Sequence, residues 1–188
     1  MQIGNTTRRW GAISQALHWL IVVLIVLQYV LAEAADDLPA GPAKLALLAR
    51  HKSIGVTILA LALLRLVWRS SNPTPLLPER MPRWERWLAR ATHTGLYVGL
   101  FAMPLTGWMM SSARNFPVSW FGLVQLPDLV SPSTATYERM HEAHESIFAV
   151  LLALALLHMA GALKHHFIDR DDVLLRMLPG TRTRSPSR

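Results

Sequence analysis

The apolar residues of this chain gather into four long blocks separated by polar, proline-containing connectors. The first block runs from about Ser14 to Ala34, and its only formal charge, Glu33, stands at its end. About 20 apolar residues cross the ~30 Å hydrocarbon layer of a bilayer as a helix, so the block is long enough to span. The second block runs from about Leu47 to Trp68, with Arg50, Lys52 and Arg65 near its ends, where long stems reach the polar boundary. The third, Ala91 to Ser112, has no formal charge. Its Pro104 predicts a kink, and Gly95, Gly99 and Gly107 leave room for a close neighbour or a flat ligand. The fourth covers residues 144–166.

The connectors read as turns and surface segments. Asp36, Pro39, Gly41 and Pro42 break the chain after the first block. The 69–90 connector holds Pro73, Pro75, Pro78 and Pro82. Pro82 suits the start of a short amphipathic surface helix over Arg83–Arg90, with Trp84, Trp87 and Leu88 towards lipid. In the loop from Ala113 to about Ser131, Phe116, Trp120 and Phe121 are expected to rest on the surface. Ser133 is the expected N-cap of the last helix. Residues 170–188 read as a charged tail whose end, TRTRSPSR, has a disordered composition. The expected fold class is all-α: one integral membrane domain, a four-helix bundle of up-down topology.

Composition narrows the chemistry. The chain has 188 residues, 52% of them hydrophobic, and no cysteine. That excludes disulfides, thiolate metal sites, iron–sulfur clusters and covalent c-type haem. The N-terminus lacks the small-x-small cleavage pattern of a signal peptide. The net charge of +7 admits either nucleic acid or lipid, and its distribution chooses lipid. Fourteen of the 19 Lys and Arg residues flank one side of the blocks, in the N-terminus, the 69–90 connector and the C-terminal tail. The other five are Lys44, Arg50, Lys52, Arg114 and Arg139. The excess of positive charge faces the cytoplasm, so both termini are expected there, and no nucleic-acid partner is expected.

With that topology each histidine acquires a depth. His18, His93 and His158 fall near the inner surface, and His51 and His144 near the outer one. On the last helix His144 and His158 are 14 residues apart, within 40° of four full turns and about 21 Å along the axis. Both imidazoles therefore leave one helix face at two depths. Paired neutral imidazoles suit low-spin electron-transfer haem. Zinc wants four ligands in a tetrahedron, and no cluster supplies them. Any one of these histidines, alone, also reads as a boundary residue bonded to water or carbonyls. Depth pairing across helices favours haem for the set. His93 stays open between haem ligand, quinone or propionate contact, and boundary residue. His165 lies close in angle to His158. It reads as a solvated helix end or as a proton donor near a quinone.

The residues around these histidines carry a resemblance. They are Ser14-Gln15-Ala16-Leu17-His18-Trp19, Arg50-His51-Lys52-Ser53-Ile54-Gly55, Met103-Pro104-Leu105-Thr106-Gly107, His144-Glu145, Leu157-His158, Lys164-His165-His166-Phe167 and Asp172-Val173-Leu174-Leu175-Arg176-Met177-Leu178-Pro179. In this order, over most of residues 10–179, they resemble the bacterial cytochrome b561 family of diheme inner-membrane proteins. Met103 is a departure, since that position is leucine in the family's L-P-x-x-G motif. The resemblance implies a bundle with two haem b groups, the inner held by His18 and His158 and the outer by His51 and His144. It leaves His93 outside the ligand set. It implies an activity as well, superoxide:ubiquinone oxidoreduction.

Lys44, Arg50 and Lys52 flank His51, and Arg114 lies in the other outer loop; such a cationic cluster attracts a small anion. Ordinary snorkelling or propionate pairing explains the same residues equally well. His93 and His165 are the candidate protonatable groups for quinone reduction. The competing reading is an electron-relay subunit of a larger oxidoreductase, of the hydrogenase or formate dehydrogenase type, with partner subunits. The short outer loops favour a stand-alone protein. The sequence does not distinguish a monomer from a homo-oligomer.

Overall fold

The computed structural model describes residues 2–181. Four helices, α1 (Ala12–Asp36), α2 (Pro42–Ser70), α3 (Arg83–Ala113) and α4 (Thr134–Phe167), account for most of it. Between α3 and α4 lie two very short strands, β1 (Ser119–Trp120) and β2 (Val124–Gln125), paired antiparallel. Three helices, α1, α2 and α4, are long and apolar enough to cross a membrane. In α3 the apolar run is diluted by Thr92, His93, Thr94, three glycines and Pro104, through which the helix continues.

Local chemistry sets the helix ends. The Asn5 side-chain oxygen accepts hydrogen bonds from Gly11 N–H at 3.0 Å and from the Ser14 hydroxyl at 2.6 Å, which ties down the start of α1. Pro42 is the first residue of α2, where its missing N–H costs nothing. Ser133 caps α4 as expected, its hydroxyl accepting from Thr136 N–H at 3.3 Å.

The interior is inverted relative to a water-soluble protein. Ser14, Gln15, Ser53, Thr92, Ser111 and Ser112 are buried, whereas Leu152, Leu156, Met159 and Leu163 of α4 are exposed. Burial suits hydroxyls here because each can bond a helix carbonyl: Ser53 and Ser112 donate back to Ala49 and Trp108. An exposed apolar face as long as that of α4 suits lipid rather than water.

The chain divides into two compact units. One comprises the residues up to Trp19, Leu63–Tyr97, and the residues from Leu151 onward. It gathers the start of α1, the end of α2, the start of α3 and the end of α4. The other comprises Leu20–Ala62 and Val98–Val150, the opposite end of each helix together with the β1–β2 loop.

Three sequence expectations change. The surface helix over Arg83–Arg90 is not separate; it is the first part of α3, because nothing after Pro82 breaks it. Trp84 and Trp87 are exposed as expected. The expected tail is packed as far as residue 181. Gln15 Nε2 donates to the Arg176 carbonyl and Trp19 Nε1 to the Met177 carbonyl, both at 3.0 Å, and Arg9 donates to the carbonyls of Leu178 and Thr181. Residues 182–188 lie outside the described residues. Finally, Trp120 does not simply lie on the surface. Its Nε1 donates to Thr57 Oγ1 at 3.0 Å, and Ser53 Oγ, whose single hydrogen is shared between the Ala49 and Ser119 carbonyls, accepts from Phe121 N–H at 3.0 Å.

Ser53 therefore fixes the β1–β2 loop to α2. Ser53→Ala is expected to cost about 1–3 kcal/mol, the price of leaving these backbone groups unpaired. The loop should become more sensitive to proteolysis between residues 113 and 133, and protection equal to the unsubstituted protein would contradict the assignment.

Candidate functional site

Five histidines converge in two groups. In the first unit His18 on α1 and His158 on α4 face each other, with ring centroids 6.2 Å apart and planes at 78°. His93 on α3 approaches the same His158 ring to 5.1 Å. In the second unit His51 on α2 and His144 on α4 stand 6.5 Å apart at 61°.

These spacings can be tested against a metal held between two imidazoles. Each ligating nitrogen sits about 2.0 Å from the metal, and each ring centre about one ångström further back, which separates the centroids by roughly 6 Å. His18–His158 and His51–His144 meet that spacing. His93 and His158 stand too close for it. Coaxial rings can twist about their common axis, so the interplanar angles raise no objection.

The surroundings of the two pairs differ. His144 Nδ1 lies 3.1 Å from Thr106 Oγ1. The neighbouring Gly107 leaves room for the ring: a Cβ there would come within 3.1 Å of His144 Cε1. His51 Nδ1 is buried without a hydrogen bond. At Gly55, one turn further along α2, a Cβ would come within 3.2 Å of Gln28 Nε2. In the other unit Arg65 NH1 lies 2.8 Å from His18 Nδ1. A guanidinium only donates, so in this contact Nδ1 accepts and Nε2 carries the proton. Ligation through Nε2 requires the other tautomer, with Arg65 turned away. The chemistry of the donor set, neutral nitrogens in facing pairs with no thiolate or carboxylate between them, suits haem iron.

The remaining expected site residues are placed as follows. Lys52 Nζ donates to Ser111 Oγ near the end of α3 at 3.1 Å, and the Arg114 guanidinium, just after α3, lies 3.8 Å from the centroid of the Tyr137 ring at the start of α4. Lys44 donates to the Leu38 carbonyl at 3.3 Å, and Arg50 is exposed. None of the four has a carboxylate partner among the described residues.

His165 is not a solvated helix end. It is buried, with Nδ1 at 2.7 Å from Asp171 Oδ2 and 3.2 Å from Asp169 Oδ2. The chain turns back after α4, Arg170 adopting φ 56°, and this brings the two aspartates against the helix. Glu85, His165 and Asp169 place ligand atoms within 4.8 Å of one another. The Lys164 ammonium already bonds both carboxylates, at 2.7 and 2.9 Å, and offsets one of their two charges. Thr106 and Asp171 escaped sequence reading. Thr106 lay within a quoted motif, but its partner is 38 residues away on another helix.

The family description "prokaryotic cytochrome b561" matches residues 9–180. The chain belongs to the prokaryotic cytochrome b561 family. Cytochrome b561 proteins are haem b-binding electron-transport proteins of the membrane, which accords with the apolar helices and facing histidines. This cytochrome is 34% identical to "Cytochrome b561 homolog 2" of Escherichia coli (strain K12), over 95% of both chains. It is 27% identical to "Cytochrome b561 homolog 1" of the same organism, over 87% of this chain and 93% of that one. It is 24% identical to "Probable superoxide oxidase CybB" of Yersinia pestis, over 93% of this chain and 98% of that one.

The clearance at Gly107 yields a test. Gly107→Val is expected to push the His144 ring aside and lower the haem b retained per chain, measured by the pyridine haemochrome spectrum. Gly161→Ala, where an added Cβ meets open space, should leave haem content unchanged. Equal content in both variants would contradict a site at His144.

Proposed function

We propose that this cytochrome oxidises superoxide at the outer face of the bacterial inner membrane and reduces ubiquinone, with two haem b groups. One is held by His51 and His144, the other by His18 and His158. The observation that carries the proposal is the pair of histidine couples at 6.2 and 6.5 Å. When bound, haem b supplies a one-electron carrier at each couple. All four helices span in the proposed arrangement, alternating in direction, with both termini cytoplasmic. The unit that gathers the start of α1, the end of α2, the start of α3 and the end of α4 supports that alternation, and the excess of Lys and Arg on those flanks supports the orientation.

Superoxide as donor is supported by charge. None of Lys44, Arg50, Lys52 and Arg114 forms an ion pair among the described residues; each is a local positive charge that draws a small anion, against the acidic Asp36, Asp37, Glu142 and Glu145 at the same helix ends. A relative's name, probable superoxide oxidase, points the same way. Two superoxide anions give up one electron each and leave as dioxygen; ubiquinone takes both electrons and two protons. His165, buried against Asp171 and Asp169, and His93, beside His158, are the residues proposed to handle those protons.

Two experiments test this reading. His51→Ala and His144→Ala should each lose the same haem, and His18→Ala and His158→Ala the other, whereas His93→Ala should keep both. Retention of two haems in any of the four ligand variants would refute the assignment. In stopped flow, superoxide should reduce the oxidised haem faster than it dismutates. The rate should fall as salt is added and fall several-fold in Lys44→Gln/Arg50→Gln. Reduction no faster than dismutation would remove superoxide as donor and favour an electron-relay role with partner subunits.

A further inference from the structure

Among the haem ligands proposed above, His144 meets a side-chain hydroxyl from a neighbouring helix. Thr106 Oγ1 lies 3.0 Å from the Ala102 carbonyl and 2.9 Å from the Met103 carbonyl of its own helix. A hydroxyl has a single hydrogen, and either carbonyl takes it. Towards His144 Nδ1, at 3.1 Å, the same oxygen therefore presents a lone pair. The imidazole is then protonated on Nδ1, and Nε2 is left free for a metal. Gly107 next to Thr106 has no side chain to crowd this ring. Two consecutive residues of α3 thus set the tautomer and the position of a histidine on α4.

We infer that Thr106 is a positioning residue for the haem held by His51 and His144. It accepts the His144 Nδ1 proton, beside the Met103 carbonyl, and thereby raises the basicity of His144 as a ligand. The inference rests on the ligand assignment proposed above. A hydrogen bond from the far ring nitrogen raises ligand basicity, and a more basic ligand favours ferric over ferrous iron. Thr106 therefore lowers the midpoint potential of this haem relative to the same site without the bond. The potential of this haem is accordingly set from α3, by a residue that touches no substrate.

The test is a potentiometric titration of the purified, haem-loaded protein, followed in the visible α band. Thr106→Val keeps the side-chain shape and removes the acceptor. It should raise the midpoint potential of one haem and leave the other in place, and Thr106→Ser should restore the original value. The low-spin ferric electron paramagnetic resonance signal of the same haem should shift with it. Unchanged potentials in Thr106→Val, equal shifts of both haems, or a Thr106→Ser protein that behaves like Thr106→Val would each overturn the inference. Should Thr106→Val fail to retain haem, the comparison of Thr106→Ser with Thr106→Ala decides the question by the same criteria. His144→Ala separates the two levels of the account. If that variant keeps both haems, the ligand assignment fails, whatever Thr106 does. If it loses one haem while Thr106→Val titrates normally, only the role of Thr106 fails.

Discussion

The proposed function depends on imidazoles from different helices standing 6.2 and 6.5 Å apart, the spacing a shared metal would demand. That demand is narrow. A separation of 5.1 Å, as between His93 and His158, leaves too little space, and helix-to-helix packing alone does not fix a ring gap to half an ångström. The couples at 6.2 and 6.5 Å therefore constrain where α1, α2 and α4 lie against one another within each unit. Gly107 keeps a side chain away from the His144 ring and Gly55 one away from Gln28, while Ser53 and Ser112 bury their hydroxyls beside carbonyls of their own helices.

Polar chemistry is concentrated at the helix ends in each unit. In one, Ser53 and Thr57 of α2 anchor the β1–β2 loop through backbone and indole hydrogen bonds, and Lys52 is tied to Ser111. In the other, the segment after α4 folds back so that Asp171 meets His165 and the Arg176 and Met177 carbonyls meet Gln15 and Trp19. These bonds matter more in a membrane protein than in a soluble one, because lipid offers no replacement partner for a backbone group left bare.

Much of this was legible in the sequence. Block length and hydropathy identified the helices, and Ser133 was recognisable as a cap from its type and position alone. The depth of each histidine brought His51 with His144 and grouped His18, His93 and His158; the family resemblance chose His18 and His158 from that group. What escaped depends on where the chain reverses or on partners distant in sequence. His165 read as a solvated end because Asp169 and Asp171 come near it only when the chain reverses at Arg170. Residues 170–181 read as a tail because their hydrogen bonds run to Gln15, Trp19 and Arg9, more than 150 residues away. Thr106 was indistinguishable from any helical threonine until α4 placed a ring nitrogen beside it. The separate surface helix over Arg83–Arg90 was an error of punctuation: Pro82 starts a helix well, but no residue before Ala91 stops one.

The central claim is that this chain holds two irons, each between two neutral imidazoles. The most direct measurement combines the haem b to protein ratio of the purified cytochrome with the electron paramagnetic resonance spectrum of its ferric form. The account predicts two haems per chain, both low-spin with bis-histidine signatures. A ratio of one or zero after reconstitution with excess haemin, or a high-spin signal from either site, would contradict it.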